Sequence, residues 1–389
     1  MSVTAPRGFR AAGASAGLKA GGALDVALVV NDGPDATAAG VFTTNRIKAA
    51  PVQWSSKVLR QGVVRAVVLN SGGANACTGA RGLVDTRTTA DHVAARLTAA
   101  GRYPLGPADV AVCSTGLIGV PLPVKPLLTG IDEAVRKLAK DGGPSAAEAI
   151  MTTDTRPKTA VVTGEGFTVG GMAKGAGMLA PGLATMLVVL TTDAVAGGTV
   201  LDAALRSACA ATFDRVDSDG CMSTNDTVLL LASGASGICP DPGDLTAAVT
   251  ATCADLASQL VADAEGATKE IAIEVTGAAS TADAIEVARA IARSSLVKCA
   301  IFGNDPNWGR VLAAVGTTEA AFAPDAVDVT FNGVPVCVGG AIGADRSQVD
   351  LAGRNVTVAV ELHAGPEQAT IWTNDLSIGY VRENSEYAS

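Results

Sequence analysis

Residues 174–190 read KGAGMLAPGLATMLVVL, and this stretch decides how the rest of the chain is interpreted. A glycine-rich loop with one proline leads to the pair Ala184–Thr185, and an apolar run typical of a buried strand follows. Such a loop can bend the Ala–Thr peptide so that the threonine hydroxyl faces the preceding carbonyl. Attack by that hydroxyl would cut the chain and leave a nucleophile and a free α-amino base on Thr185. The simpler interpretation is a loop that enters a strand, and the local pattern alone favours it.

The composition of the chain sets limits on its class. The 389 residues include 48% hydrophobic and 17% charged side chains, which is typical of a well-buried globular protein of two or three subdomains. The net charge of −9 argues against a nucleic-acid surface. Because no secretory signal and no apolar stretch of spanning length is evident, we expect no membrane partner. The eight scattered cysteines lack a CxxC pair, which favours a reducing compartment, the cytoplasm.

Histidine is nearly absent from the chain. Only His92 and His363 occur, and neither has a local pattern of partner residues. We therefore expect both to be ordinary surface or hydrogen-bonded histidines. Two isolated histidines are too few to suggest a zinc site or a Ser–His–Asp arrangement, so we expect no metal and no histidine base.

Helical and strand patterns are mixed along the whole chain. Amphipathic or helix-like patterns predict helices at 84–100, 129–140, 144–151, 202–213, 244–265, 281–293 and after residue 307. Short apolar runs predict strands at 25–30, 40–44, 62–75, 110–120, 159–163, 167–172, 185–190, 227–234, 270–276, 296–302 and in most of the remaining C-terminal part. This mixture indicates a layered α/β or α+β protein.

Two short segments could carry chemistry, although each has a plain structural alternative. Ser114–Thr115–Gly116 follows a predicted strand and could aim a hydroxyl and an amide at a developing oxyanion, yet it is also a common turn. Residues 151–155, MTTDT, could bind a polar ligand or cap a helix. Lys174 could pair with a substrate carboxylate or act as an electrostatic anchor. A phosphate-binding loop is not favoured, because the G-x-x-x-x-G-K-[ST] order is not present.

Further polar segments are weaker signals. Residues 214–226, DRVDSDGCMSTND, lack the twelfth-position glutamate of a calcium loop, so we expect a turn beside an active site instead. Glu265 is expected to be a solvated carboxylate at a helix end. The segment 304–310, NDPNWGR, is expected to start a helix capped by Asp305 or Asn307. The polar C-terminus ENSEYAS is expected to be frayed.

Taken together and in this order, these segments resemble those of one protein family, although no single segment is decisive. The shared stretches are STGLIG at 114–119, TTDT at 152–155, MAKGAGMLAPGLATML at 172–187, DSDGCMSTNDT at 217–227, DAEGATK at 263–269, NDPNWGR at 304–310 and the ending TNDLSIGYVRENSEYAS. The chain resembles the ornithine acetyltransferases, or glutamate N-acetyltransferases, of cyclic arginine biosynthesis over essentially its whole length.

The resemblance implies a fold and a maturation step. The expected fold is an αββα sandwich of the kind shared with some self-processing aminopeptidases, with a smaller C-terminal domain. Cleavage is expected between Ala184 and Thr185. It would give an α chain of 1–184 and a β chain of 185–389, assembled as an α2β2 heterotetramer.

The resemblance also implies roles for individual residues. Thr185 is expected to be the nucleophile, and Thr115 with Gly116 the oxyanion hole. The positions that match substrate contacts are Thr152, Lys174, Thr185, Glu265, Asn384 and Ser389. The reaction would move acetyl from N-acetylornithine to glutamate by a ping-pong route through acetyl-Thr185, with no cofactor. Lys174 is the expected partner of the substrate carboxylate, and Glu265 is expected near the amino end of ornithine.

Two alternatives stay open at the level of the sequence. A self-processing aminopeptidase or amidase of the same architecture would use water as the acceptor. Acetyl-CoA could be a second donor, but the absence of a nucleotide-cradling motif favours N-acetylornithine alone.

Overall fold

Three β-sheets organise the chain in the computed structural model, which describes residues 2–101, 104–178 and 186–386. The strands of this described part are β1 Phe9–Ala14, β2 Val26–Asn31, β3 Thr37–Phe42, β4 Ala66–Ser71, β5 Val110–Thr115, β6 Lys158–Thr163, β7 Thr168–Lys174, β8 Leu187–Thr192, β9 Thr227–Ala232, β10 Glu270–Ala278, β11 Asp328–Phe331, β12 Val334–Val338, β13 Ala341–Ile342, β14 Asn355–Glu361 and β15 Glu367–Asn374. Its α-helices are α1 Ala50–Val58, α2 Gly79–Ala99, α3 Val124–Lys137, α4 Gly143–Ala149, α5 Gly198–Ala211, α6 Pro242–Ala262, α7 Thr281–Ala292, α8 Ser295–Phe302, α9 Trp308–Val315 and α10 Ile378–Glu386.

Two of the sheets pack face to face between layers of helices. The first sheet has the order β1-β2-β4-β5, and the second has the order β3-β9-β8-β7-β6. Side chains alternate along β8, so Leu187 and Val189 join the core between the sheets. Val188 and Leu190 point the other way and join the core beneath α5 and α6. Helices α2 and α3 cover the outer face of the first sheet. The predicted αββα sandwich is confirmed.

A smaller C-terminal domain follows the sandwich, as predicted. Its sheet has the order β13-β12-β11-β14-β10-β15, and β10 lies parallel to β14 but antiparallel to β15. Helices α7, α8 and α9 pack on this sheet around Val287, Ile301 and Val311. This domain brings the end of β15, and the α10 segment after it, back to the sandwich.

The prediction of a strand at 296–302 is wrong, because these residues form helix α8. The Ser294 side chain caps the helix by accepting a hydrogen bond from the Val297 amide at 3.4 Å. One helical turn separates Val297 from Ile301, and both are buried in the C-terminal core. A short apolar run is compatible with a buried strand and with a buried helix, so the sequence alone could not separate them.

Helix α6 is the one described helix that is long and apolar enough to cross a membrane by length and composition. Its apolar face contributes Leu245, Val249, Leu256 and Leu260 to the core beneath the second sheet. Helix α6 is therefore a helix of the outer layer of the sandwich, and its apolar residues are accounted for by packing against the second sheet.

The predicted division at 184/185 separates neighbouring strands of the second sheet. Strands β3, β6 and β7 belong to 1–184, whereas β8 and β9 belong to 185–389. The junction itself lies outside the described residues. Strand β7 pairs antiparallel with β8 from Val169↔Thr192 to Lys174↔Leu187. A cut at this junction would leave those hydrogen bonds in place, so the division into two chains stays a prediction that the topology allows.

Candidate functional site

A cavity of about 190 Å³ opens where β5 and β7 end. Six of the residues singled out in the sequence line it: Thr115, Gly116, Thr152, Lys174, Glu265 and Asn384. They come from both halves of the sandwich and from the C-terminal helix, so only the folded chain brings them together. The two remaining predicted residues, Thr185 and Ser389, lie outside the described residues.

The wall formed by Thr115 and Gly116 is fixed by a close main-chain approach. Thr115 is the last residue of β5, and its carbonyl accepts a hydrogen bond from the Gly73 amide at 3.0 Å. Gly116 has a φ of +126°, and a Cβ at this position would lie 2.5 Å from the Gly73 nitrogen. Only glycine fits there. The turn therefore presents the Thr115 hydroxyl at a set place on the cavity wall.

Lys174 ends β7 and is buried, with 2% of its surface exposed. Its Nζ donates a hydrogen bond to Thr115 Oγ1 at 3.3 Å. Since an ammonium can only donate, the Thr115 hydroxyl is the acceptor and keeps its own hydrogen free for another group. Burial lowers the pKa of Lys174, while the carboxylates of Asp154 and Glu265 oppose that shift.

A buried ion network, which the sequence did not reveal, supports the start of the glycine loop. Lys158 Nζ lies 2.6 Å from Asp154 Oδ1 and 2.5 Å from Asp263 Oδ2. Asp154 Oδ1 also accepts a hydrogen bond from the Gly175 amide at 2.7 Å. Burial raises the pKa of Asp154, but Lys174, Lys158 and the Gly175 amide together lower it to about 2. The network thus fixes the residue that follows Lys174.

Replacing Lys158 with methionine should destabilise the protein by about 3–5 kcal/mol, because two buried carboxylates lose their partner. The pKa of Asp154 is lowered in the fold, so its stabilising effect is complete above its ordinary pKa of 3.8 and is lost as pH falls towards about 2. Urea unfolding of the wild type should show this loss in acid, and the Lys158→Met variant should show less of it. Lys137→Met, which breaks an exposed pair with Glu133, is the matched control and should change stability by under about 1 kcal/mol. An equal effect of both substitutions would contradict the role given to the network.

Glu265 lines the cavity, so the expectation of a solvated carboxylate at a helix end is wrong. Its Oε1 accepts a hydrogen bond from Thr153 Oγ1 at 2.7 Å, and its Oε2 accepts one from Asn384 Nδ2 at 3.0 Å. The Glu265 amide donates to the Ala176 carbonyl at 3.0 Å. A Cβ on Gly177 would lie 2.5 Å from Glu265 Oε2. The glycine loop therefore passes directly over this carboxylate.

The C-terminal segment is helical through Glu386, so the prediction that its whole ending is frayed is wrong for the described part. Helix α10 is anchored by Ser377, whose hydroxyl donates to the Gly266 carbonyl at 2.5 Å. Gly266 has a φ of +60°, and a Cβ there would meet the Tyr380 amide. This close approach turns Tyr380 and Asn384 towards the cavity.

The polar segment at 217–226 abuts the cavity, as predicted. Asn225 Nδ2 donates to the carbonyls of Ala74 at 2.7 Å and Ser114 at 2.8 Å, which ties this segment to the end of β5. Within residues 2–101, 104–178 and 186–386, no cluster of three or more His, Cys, Asp or Glu side chains could hold a metal ion.

The two histidines lie away from the cavity. His92 Nε2 lies 2.7 Å from Asp132 Oδ1, and His363 Nε2 lies 2.8 Å from Asp328 Oδ2. Neither residue lines the cavity. The helix after residue 307 begins as expected, with Asn307 as its cap.

The segment that follows the glycine loop is bound by Asp226, which directly precedes β9, and by strand pairing. The Met186 amide donates a hydrogen bond to Asp226 Oδ1 at 3.1 Å, and Leu187 pairs with Lys174. The residue that comes directly before Met186 in the chain is Thr185. Thr185 is thus followed by Met186, which Asp226 binds, and then by Leu187, which pairs with Lys174 in the second sheet.

Comparison with known proteins gives a consistent result over the whole chain. The model of the ArgJ family matches residues 10–389. Proteins from Thermobifida fusca and Streptomyces avermitilis, each named arginine biosynthesis bifunctional protein ArgJ, are 62% identical over 389 residues, and the match covers 100% of both chains in each case.

Two solved structures are also similar to parts of the chain. A crystal structure of ornithine acetyltransferase from Mycobacterium tuberculosis, complexed with ornithine, is 56% identical with a TM-score of 0.45, covering 48% of this chain and 96% of that one. A crystal structure of the arginine biosynthesis bifunctional protein ArgJ from Bacillus halodurans is 34% identical with a TM-score of 0.47, covering 51% of this chain and 97% of that one.

Proposed function

The chain belongs to the ArgJ family, and we propose that Thr185 carries the acetyl group in its cavity. It is an enzyme of arginine biosynthesis, an ornithine acetyltransferase and glutamate N-acetyltransferase. The observation that carries the proposal is the convergence of Thr115, Gly116, Lys174 and Glu265 on one cavity, beside the strand that begins two residues after Thr185.

Self-cleavage between Ala184 and Thr185 prepares the nucleophile. Thr185 Oγ attacks the Ala184 carbonyl carbon, the peptide bond breaks, and an ester joins the two residues. Water then hydrolyses this ester, which leaves a carboxylate on Ala184 and a free amino group on Thr185. The pairing of β7 with β8 supports the idea that the two chains stay together after the cut.

The acetyl transfer follows from the same residue. Thr185 Oγ attacks the acetyl carbonyl of N-acetylornithine, and the α-amino group of Thr185 takes its proton. An α-amino group has a pKa of about 7.7–8.0, so a useful fraction is neutral near pH 7. Ornithine leaves with that proton and an acetyl-Thr185 ester remains. Glutamate then takes the acetyl group, which makes the kinetics ping-pong.

The oxyanion of each step is held by the Thr115 hydroxyl and the Gly116 amide. Lys174 donates to Thr115 Oγ1, which supports a role in orienting that hydroxyl towards the oxyanion. The same ammonium adds positive charge close to the developing negative charge. Lys174 also remains the proposed partner of the α-carboxylate that both substrates share, together with Thr152 on the cavity wall.

Glu265 is the proposed partner of the side-chain ammonium of N-acetylornithine, and Asn384 and Ser389 are the other proposed substrate contacts of the C-terminal segment. Glu265→Gln should raise the KM for N-acetylornithine about tenfold, because a charged hydrogen bond is lost. The KM for glutamate should not rise, since glutamate carries no such ammonium. Steady-state kinetics with each substrate varied in turn measures this split. Glu165→Gln, on the exposed turn between β6 and β7, is the control; a parallel rise in both KM values would contradict the assignment.

Acetyl-CoA is the proposed second acetyl donor. Relatives that are 62% identical are named bifunctional, and this outweighs the expectation, drawn from the missing nucleotide motif, of N-acetylornithine as sole donor. The test is glutamate acetylation with acetyl-CoA as the only donor. Formation of N-acetylglutamate at a rate that depends on Thr185 supports the proposal, and no product above background contradicts it.

The alternative enzyme, an amidase of the same architecture, would pass the acetyl group to water. Assays with N-acetylornithine in the presence and absence of glutamate separate the two. The transferase gives ornithine at a rate that depends on glutamate, with one N-acetylglutamate for each ornithine released. The amidase gives ornithine and acetate at the same rate in both assays.

The proposed assembly is an α2β2 heterotetramer in the cytoplasm. All eight cysteines lie within the described residues and are free, and Cys113, Cys209, Cys253 and Cys337 are buried, which supports a reducing compartment. Native mass measurement tests the assembly, since α2β2 has twice the mass of the uncut chain.

A further inference from the structure

Asp226 is a buried carboxyl group that the proposed transfer chemistry leaves without a role. It directly precedes β9, and none of its surface is exposed. Its Oδ1 accepts the hydrogen bond from the Met186 amide at 3.1 Å. Its Oδ2 is buried, and no described group donates to it with hydrogen-bond geometry, although the hydroxyls of Ser223 and Thr43 lie close by. A buried carboxyl oxygen with no donor is costly and is rare without a functional reason.

The hydrogen bond to the Met186 amide places Asp226 beside the residue that follows the junction. The Met186 amide that donates to Asp226 Oδ1 belongs to the peptide bond between Thr185 and Met186. Asp226 thus binds the amide of the residue that directly follows Thr185, and the Thr185 nitrogen belongs to the preceding peptide bond. That nitrogen is the leaving group when the Ala184–Thr185 peptide bond breaks.

The surroundings of Asp226 favour its protonated form. Burial is the largest effect and raises the pKa of Asp226 well above its ordinary value. The groups that oppose this shift are the Met186 amide, the hydroxyls of Ser223 and Thr43 and the ammonium of Lys174. Because burial outweighs them, the protonated form of this carboxyl group is favoured over what its ordinary pKa would give.

We propose that Asp226 donates the proton that the Thr185 nitrogen needs during self-cleavage. Thr185 Oγ forms a bond to the Ala184 carbonyl carbon, and the electron pair of the breaking C–N bond goes to the Thr185 nitrogen. The Asp226 carboxyl gives its proton to that nitrogen, and the proton of the attacking hydroxyl returns to Asp226. The group is thus regenerated, and the proposal rests on the self-cleavage at Thr185 proposed above.

The test follows conversion of the chain into two fragments after cell-free synthesis, by denaturing electrophoresis over time. Asp226→Asn keeps an oxygen that can accept from the Met186 amide but has no acidic proton. Conversion should slow about 100-fold or more, the range for loss of a general acid. Asp217→Asn is the matched control, because burial also raises the pKa of Asp217, which pairs with Arg293 instead. Its conversion should match the wild type; wild-type conversion of Asp226→Asn would overturn the proposal.

A parallel Thr185→Ala protein separates this proposal from the one it rests on. If Thr185→Ala is still cut, the proposed function fails whatever Asp226 does. If Thr185→Ala stays intact while Asp226→Asn is cut normally, only the role of Asp226 fails. Thermal unfolding of the uncut Asp226→Asn protein, compared with uncut Thr185→Ala, shows whether a slow variant is folded.

A spectroscopic signature keeps the proposal testable even if Asp226→Asn does not fold. The uncut Thr185→Ala protein, labelled with ¹³C at the aspartate carboxyls, should show a protonated-carboxyl band in its infrared spectrum at pH 7. The band should persist when Asp217→Asn is added, because it belongs to Asp226. Absence of a protonated aspartate in that double variant would mean that Asp226 is ionised, and would overturn the proposal.

Discussion

Replacing Thr185 with alanine is expected to give a chain that stays intact and transfers no acetyl group. The substitution removes the only hydroxyl at the proposed junction, so neither the N-to-O shift nor the acetyl ester can form. Loss of a nucleophile lowers turnover by about 10⁴-fold or more. Denaturing electrophoresis should show one band in place of two fragments, and the assay with N-acetylornithine and glutamate should stay at background.

The matched control for this prediction is Thr185→Ser, which keeps a hydroxyl on the same carbon. It should still be cut and should retain measurable transfer, because the nucleophile and the α-amino base are both preserved. A Thr185→Ala protein that is cut, or that transfers acetyl, would contradict both the maturation step and the mechanism.

Thr115→Val should lower kcat by about 10²–10³-fold, the usual cost of losing one oxyanion donor. Valine keeps the branched shape at the end of β5 but removes the hydroxyl that accepts from Lys174. The KM values should change little, since the hydroxyl is proposed to act on the charge that develops in the transition state. Steady-state kinetics on the cleaved protein measures kcat and the KM values separately.

Thr115→Ser is the control for that substitution, because it restores a hydroxyl of the same kind. Most of kcat should return with it. Lys174 is buried and loses its acceptor in Thr115→Val, so thermal unfolding of both variants must be compared. A Thr115→Val protein that is as stable as Thr115→Ser and has wild-type kcat would remove Thr115 from the oxyanion hole.

Most of the fold could be predicted where a strand or helix carries a clear apolar pattern. Strands β8 and β9 are buried along their whole length and stand out as short apolar runs. Strand β1, with the sequence FRAAGA, cannot be predicted in this way, because alanine and glycine give little strand signal. The same holds for helix α1, because APVQWSSKV contains few strong helix formers.

The candidate site could be predicted only in part. Resemblance of short motifs pointed to the residues that line the cavity, although they lie far apart in the sequence. The supporting residues were not visible, because their partners are distant along the chain: Lys158 and Asp263 are 105 positions apart. A buried lysine and a buried aspartate look like surface residues in a sequence, and only tertiary packing shows that Asp226 is buried with one oxygen to which no described residue donates.

The buried charges next to the cavity share one physical task. Asp154 binds the Gly175 amide, Lys174 binds Thr115, and Asp226 binds the Met186 amide, so both ends of the glycine loop are fixed by charged or acidic groups. Burying such groups lowers stability unless each is paired. Their presence around one loop supports its role as the place where the chain is processed.

The most direct test of the central claim is mass spectrometry of the purified protein after incubation with N-acetylornithine and no glutamate. The account predicts a fragment that begins at Thr185 and carries one acetyl group as an ester on the Thr185 hydroxyl. Addition of glutamate should remove that acetyl group and yield N-acetylglutamate. An uncut chain, or an acetyl group on any other residue that glutamate discharges, would contradict the account.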